Sequence, residues 1–136
     1  MMVVDASAVT ELLLARPAAE HVEGHIAKHG YALHAPHLLD IEVLSALRRV
    51  VASGEATPAR AGEAVIDLLD LSVERYEHAM LAPRVWELRD NFSAYDAAYL
   101  ALAEGLIEGG APLLTSDGRF ARAAAAHSHI QVLLAG

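Results

Sequence analysis

NFSAYDAAYLALAEGLIEGGAPLLTSDGRFA, residues 91–121, is the stretch whose reading decides the fold. It predicts a helix over Ser93–Glu104, a glycine-rich loop, a short buried strand at Pro112–Thr115 and the start of another helix. The first helix has no polar face, because Ala97, Ala98, Tyr99, Leu100, Ala101, Leu102 and Ala103 run consecutively, so it belongs inside a core. Asp96 nonetheless stands in its first turn, and a second carboxylate, Asp117, follows the strand. A carboxylate entering a core needs a cation or several hydrogen-bond donors. No Lys or Arg lies between Asn91 and Asp117, so the neutralising charge has to come from elsewhere.

Towards the N-terminus the same strand–turn–helix pattern repeats. Met2–Val4 predicts a strand ending at Asp5, followed by a helix through Val9, Leu12 and Leu13, with Asp5 or Ser7 suited to its N-cap. A helix over Pro17–His29 closes at Gly30. Its His21, His25 and His29 share one face, but among Glu20, Glu23 and Lys28 they read as a solvated face and not as a metal site. Tyr31–His34 predicts a strand. The helix His37–Ala52 is apolar around most of its circumference and is expected to be largely buried. On it, Asp40 and Glu42 point in nearly opposite directions. Its stripe of Glu42, Ser45 and Arg49 fits both a cleft lining and a solvated face. Thr57 and Pro58 open a helix to about Leu69, its face of Val65, Ile66, Leu68 and Leu69 set opposite Glu63, Asp67 and Asp70. A strand over Val73–Tyr76, a helix over Leu81–Arg89 with Trp86 inward, and a last strand over Ile130–Leu134 complete the chain. The alternation predicts one α/β domain over residues 1–136, a parallel sheet covered on both faces.

Composition narrows the functional classes. With 54% hydrophobic residues in 136, the chain has enough apolar surface for a core. No apolar run approaches the roughly 18 residues of a membrane span. The start, MMVVDASAV, lacks the basic-then-apolar pattern of a secretory leader, so a soluble, cytoplasmic protein is expected. The absence of cysteine excludes disulfides, zinc–thiolate sites and thiol nucleophiles. A net charge of −8 argues against general adhesion to nucleic acid but leaves room for a local site built from a divalent metal and a few arginines. Arg48, Arg49, Arg119 and Arg122 are the candidate phosphate contacts, with surface ion pairing the alternative for each.

Each acid has a local explanation: Asp5 as an N-cap, Ser93-x-x-Asp96 as a capping box, Asp117 as the cap of the helix Arg119–His127. Their joint placement asks for more. Ligands of open α/β sheets sit at the carboxyl ends of the strands, where both Asp5 and Asp117 fall. Asp96 opens a buried helix and Glu42 lies in the first half of another. Carboxylates held together repel and raise one another's pKa unless a cation joins them. An all-oxygen set suits Mg²⁺ or Mn²⁺, and such a site suits phosphoryl chemistry.

VVDAS at Val3–Ser7, EVLSALRR at Glu42–Arg49, YDAAYLALAE at Tyr95–Glu104 and LLTSD at Leu113–Asp117 resemble the PIN domain. More narrowly, they resemble the VapC toxins of bacterial type II toxin–antitoxin pairs, and the resemblance spans essentially the whole chain. It implies a PIN-like three-layer sandwich whose mostly parallel sheet of about four to five strands carries helices on both faces. It also implies a Mg²⁺-dependent endoribonuclease leaving a 5′-phosphate and a 3′-hydroxyl, restrained by a cognate VapB-type antitoxin. Motif matching puts the family's acids on Asp5, Glu42, Asp96 and Asp117, with Ser7 and Thr115 as small polar supports. Asp5, Asp96 and Asp117 would hold the principal metal, and Glu42 a second metal or the attacking water. One departure is the stretch Glu104–Thr115, a few residues longer than the family pattern. The two helices apolar nearly all round leave room for a homodimer surface. Three alternatives stay open: a housekeeping PIN nuclease, another metal-dependent phosphoesterase, and a non-catalytic PIN-like binding module. Haloacid-dehalogenase phosphatases carry a second Asp where this chain has Ser7, and a sterile module needs none of the four acids.

Overall fold

Three successive apolar residues with no polar face make a strand that must be covered on both sides. In the computed structural model, which describes Met1–Gly136, they form β1 (Met2–Val4) at the centre of a five-stranded sheet. Beside it run β2 (Leu33–Pro36), β3 (Val73–Tyr76), β4 (Leu113–Thr115) and β5 (Val132–Leu134), in the order β3-β2-β1-β4-β5. Every pairing is parallel, with Met2 opposite Leu33 and Val3 opposite Leu113. The chain therefore winds outward from β1 to β3, returns to the middle, and winds the other way through β4 and β5. The reversal between β1 and β4 opens a crevice at their carboxyl ends.

Seven helices complete a three-layer α/β sandwich: α1 (Ala6–Leu13), α2 (Ala19–Lys28), α3 (Leu38–Ala52), α4 (Pro58–Asp70), α5 (Ala82–Glu87), α6 (Ala94–Leu106) and α7 (Gly118–His127). Helix α1 packs on α2, α3 and α4, while α6 lies against β1, β2 and β4 and carries α5. All seven residues from Ala97 to Ala103 are buried, as their lack of a polar face requires. Four of the seven are alanines, and Tyr99, Leu100 and Leu102 supply the large buried side chains. Burial of such a large side chain stabilises by about 1.5–3 kcal/mol.

Several elements depart from expectation. Strand β2 starts at Leu33 and not at Tyr31, because Gly30 and Tyr31 take left-handed φ values of 71° and 59° and turn the chain first. Helix α3 is buried along one side only, through Leu39, Val43, Leu47 and Val50, and Ile41 stays 66% exposed. Helix α4 faces the core with Ala61, Ala64 and Leu68, leaving Ile66 and Leu69 outside. Trp86 also lies outside, with the Arg89 guanidinium 4.5 Å over its ring. In α4 the side that approaches its neighbours is built largely from alanine, and a reading weighted towards large apolar residues turns that helix outward-in. The long Glu104–Thr115 connection lies at the amino end of β4, opposite Asp117. There Gly110 has φ 87°, and a Cβ on it would come within 2.6 Å of Ile130 Cγ2.

Candidate active site

Asp5 follows β1 directly and its carboxylate closes the first turn of α1. Oδ1 accepts from the Ala8 amide at 3.0 Å and from the Ser7 hydroxyl at 2.7 Å, and Oδ2 accepts from the Thr115 hydroxyl. Both hydroxyls are themselves positioned by backbone amides, Ser7 Oγ by Ser116 N at 2.9 Å and Thr115 Oγ1 by Asp117 N at 3.0 Å. Their protons point at Asp5, so the 3.2 Å approach between them is a packing contact. This network ties the ends of β1 and β4 together across the crevice. Burial nonetheless dominates and pushes the Asp5 carboxyl up to about 6, against the three hydrogen bonds and with help from the Asp96 charge.

The other acids gather around it from three elements. Glu42, one turn into α3, is half-buried, and the Tyr99 hydroxyl donates to its Oε1 at 2.7 Å. Its pKa is raised by burial and by Asp96, against that hydrogen bond and the charge of Arg49. Asp96 stands in the first turn of α6, capped by Ser93, and its pKa is raised by burial and then by Asp117, with Arg119 opposing. Asp96 thus interacts electrostatically with all three other acids. Asp117 caps α7, its Oδ1 accepting from the Arg119 and Phe120 amides at 2.9 and 3.2 Å. Burial together with the Glu42 and Asp5 charges holds the Tyr99 phenol far above its ordinary range, so it stays a donor.

All four acids line one cavity of about 420 Å³, together with Ser7, while Thr115 sits behind Asp5 and is fully buried. None of the four makes an ion pair. Three buried side-chain oxygens lack a partner, on Thr10, Glu11 and Ser116, and all three residues belong to this wall. No three His, Asp or Glu side chains close into a ready-made metal cage. The donor set suits Mg²⁺ all the same, since that ion takes one or two carboxylates and keeps water and substrate oxygens for the rest.

Of the arginines singled out in the sequence, Arg49 lines this cavity, Arg119 and Arg122 line an adjoining one, and Arg48 lines neither. Ser45 is exposed and absent from the cavity wall, where Ala46 takes its place one residue on. Sequence reasoning missed Tyr99, Thr10, Glu11 and Arg16. Tyr99 lies three residues after Asp96 and Glu11 four after Ser7, spacings that share a helix face and were available as a signal. Arg16, in the loop after α1 and tied to Glu55 at 2.7 Å, carried none.

A parallel sheet with its acids at the β1/β4 crevice defines the class, and comparison with known proteins agrees: the PIN domain family model matches residues 2–126. The chain belongs to the PIN domain family. Within it, the chain falls with the VapC group. It is 36% identical to Ribonuclease VapC12 of Mycobacterium tuberculosis, covering 98% of this chain and 99% of that one. It is 43% identical to Ribonuclease VapC1 of the same organism, covering 89% of each. It is 40% identical to VapC ribonuclease Mb0985 of Mycobacterium bovis, covering 98% of each. Among solved structures, that of PAE2754 from Pyrobaculum aerophilum superposes with a TM-score of 0.65 at 24% identity, over 96% of this chain and 81% of that one, a likeness of fold.

Proposed function

We propose that this protein is a Mg²⁺-dependent endoribonuclease, the toxin of a VapBC-type toxin–antitoxin pair acting in the cytoplasm. The observation that carries the reading is the cavity itself: four carboxylates from four elements, three with raised pKa values, and no cation paired with any of them. A cluster of this kind costs stability and is retained where a bound cation repays it. Relatives named as ribonucleases over nearly the full chain support the substrate class.

Asp5, Asp96 and Asp117 would hold the metal, Mn²⁺ being a possible substitute. Bound there, the ion supplies charge for the leaving oxygen and lowers the pKa of water. Ser7 and Thr115 lock the Asp5 carboxylate so that it does not rotate when substrate arrives. Glu42, fixed through Oε1 by Tyr99, keeps Oε2 to orient the attacking water and take its proton. The new P–O bond forms as the P–O3′ bond breaks, and a proton returned to the 3′ oxygen leaves a 5′-phosphate and a 3′-hydroxyl.

A restrained toxin needs a partner, and a −8 chain with an acid-lined cleft suits a basic antitoxin segment. A homodimer belongs to the same reading. Helix α6 spends its apolar surface inside the chain, so a second copy would use instead the exposed Ile41, Trp86 and Tyr95. Cleavage of RNA with Mg²⁺ and none with excess EDTA is the expected result. Growth arrest on expression alone, relieved by Asp5→Ala or by an antitoxin encoded beside it, tests the toxin role. Soluble wild-type protein that binds metal yet leaves growth and RNA untouched would remove the proposal.

A further inference from the structure

The acid cavity has a neighbour. A second cavity, of about 530 Å³, shares Asp96 and Asp117 with the first but is otherwise built by the α5–α6 turn and by α7. The two carboxylates are the ridge between them. Arg119 and Arg122 of α7 line the second cavity too, and the turn contributes Asn91 and Ser93.

These two arginines differ from most others in the chain. Arg16, Arg75 and Arg84 hold carboxylates, and Arg60 and Arg89 donate to backbone carbonyls. The guanidiniums of Arg119 and Arg122 make no hydrogen bond or ion pair within the chain, although two carboxylates share their cavity. Arg122 is also given room: its Nη1 lies 3.2 Å from where a Cβ on Gly118 would stand, so the guanidinium folds back over the first residue of α7. A cavity of several hundred Å³ with a few convergent polar groups is of the size that takes one small-molecule unit.

Resting on the nuclease reading, we propose that this second cavity is the subsite for a ribonucleotide flanking the scissile phosphate, with Arg119 and Arg122 on its phosphate and Asn91 at its base edge. Guanidinium forks match phosphate oxygens, and an amide can both donate to and accept from a base. Charge decides between occupants. A basic peptide drawn to the acids would meet two guanidiniums here, whereas a phosphodiester chain passes from a metal on the acids to cations on α7. Arg49 in the first cavity gives the strand a cation on the other side as well. An internal phosphodiester, extended in both directions, fits that arrangement better than a chain end.

The test uses a single-stranded oligoribonucleotide that the protein binds, and a series in which one phosphate at a time is replaced by neutral methylphosphonate. Binding is read by fluorescence anisotropy in EDTA, and kcat/KM in Mg²⁺. For R119Q/R122Q, Kd should rise about tenfold or more, as loss of charge-assisted hydrogen bonds predicts. The slope of log Kd against log salt should flatten by about 1.4, two contacts at roughly 0.7 each on a single strand. In the wild type, one methylphosphonate beside the cleavage point should weaken binding, and in R119Q/R122Q that position should have no further effect. Gly118→Ala, which displaces Arg122 without removing it, should move Kd in the same direction by less. Binding and salt slope equal to wild type in R119Q/R122Q, or penalties that simply add, would overturn the subsite. So would a variant that loses its antitoxin while binding RNA normally. If the wild type cuts nothing in Mg²⁺ but the coupling persists in EDTA, the nuclease reading fails and the subsite stands.

Discussion

Helix α6 carries a carboxylate at each end, and the fold treats the two oppositely. Glu104, in the last turn, meets the negative end of the helix dipole, an unfavourable place for an acid. The Arg84 guanidinium grips both its oxygens, Nε to Oε1 at 2.7 Å and Nη2 to Oε2 at 3.1 Å, and the Ser128 hydroxyl adds a third bond at 2.7 Å. Burial pushes the Glu104 carboxyl up, but those bonds and the charges of Arg84 and His129 win and hold it below its usual range. Asp96, in the first turn, has the favourable dipole but no ion pair, and burial and Asp117 raise its pKa against the more distant charge of Arg119. Glu104 is matched by a cation, whereas the four acids of the crevice accept hydrogen bonds at most and pair with no cation.

The largest effects should come from exchanging those roles. Asp96→Asn is expected to lower the RNA cleavage rate by about a thousandfold or more, as for loss of a group that acts only with its partners as a unit. Its melting temperature without metal should hold or rise, since a like charge leaves the cluster. Arg84→Met is expected to do the reverse. It strands the half-buried Glu104 and should cost about 1–3 kcal/mol of stability while leaving cleavage within a few-fold of wild type. Chemical denaturation and cleavage time courses on the two variants read both axes. Wild-type cleavage by Asp96→Asn would remove the site assignment outright.

Next in size is the response to pH and metal. Asp5 has its folded pKa raised from 3.8 to about 6, so the folded protein binds the proton more tightly than the unfolded chain. Its contribution to stability is therefore present below about pH 4 and lost as pH rises through about 6, on the order of 3 kcal/mol for the shift cited. Glu42 and Asp96 add in the same direction. Glu104 runs the other way, its contribution present above its unfolded pKa and lost as pH falls through the lower folded one. In EDTA, Asp5→Asn should flatten the loss of stability between pH 4 and 6, and Glu104→Gln should flatten the limb at more acid pH. Mg²⁺ should raise the melting temperature most near pH 7.5 and progressively less towards pH 5, because protons compete for the same oxygens. A Mg²⁺ effect independent of pH would mean the ion binds elsewhere.

The same contrast explains what the sequence disclosed. The unbroken apolar run Ala97–Ala103 could only be a buried helix, and Met2–Val4 only a covered strand, so the order of elements and the carboxyl-end placement of Asp5 and Asp117 were legible. Asp96 was legible as a charge without a partner in its stretch. Glu104 was not distinguished from it, because Arg84 and Ser128 come from α5 and the end of α7, and nothing local announces a pairing made by packing. Tyr99 read as core, and it is core; its hydroxyl reaches Glu42, 57 residues away, across the crevice above the sheet that both helices flank. The size of Trp86 and Ile66 argues for the inside, whereas Ala61 and Ala64 are what α4 buries. Small residues at contacts leave little trace in a hydrophobicity pattern.

The smallest predicted effect is the most specific to this site. Tyr99 is 1% exposed and its ring fills the core, so Tyr99→Phe preserves shape and removes a single hydroxyl. The bond it breaks goes to Glu42 Oε1, and deleting it should cost less than about 1.5 kcal/mol of stability. Its consequence lies in titration. The Tyr99 hydrogen bond opposes the burial that raises the Glu42 pKa, so without it the carboxyl should rise further. If Glu42 acts as its carboxylate on the attacking water, the acid limb of the kcat profile should move to higher pH, while KM and the Mg²⁺ response stay near wild type. At pH 8 the rate should fall by about tenfold at most, from looser orientation alone. Glu42→Gln, which cannot accept the proton at any pH, should abolish that limb along with most of the rate. A Tyr99→Phe profile that superimposes on the wild type would reduce Tyr99 to a packing residue and leave Glu42 without its orienting partner.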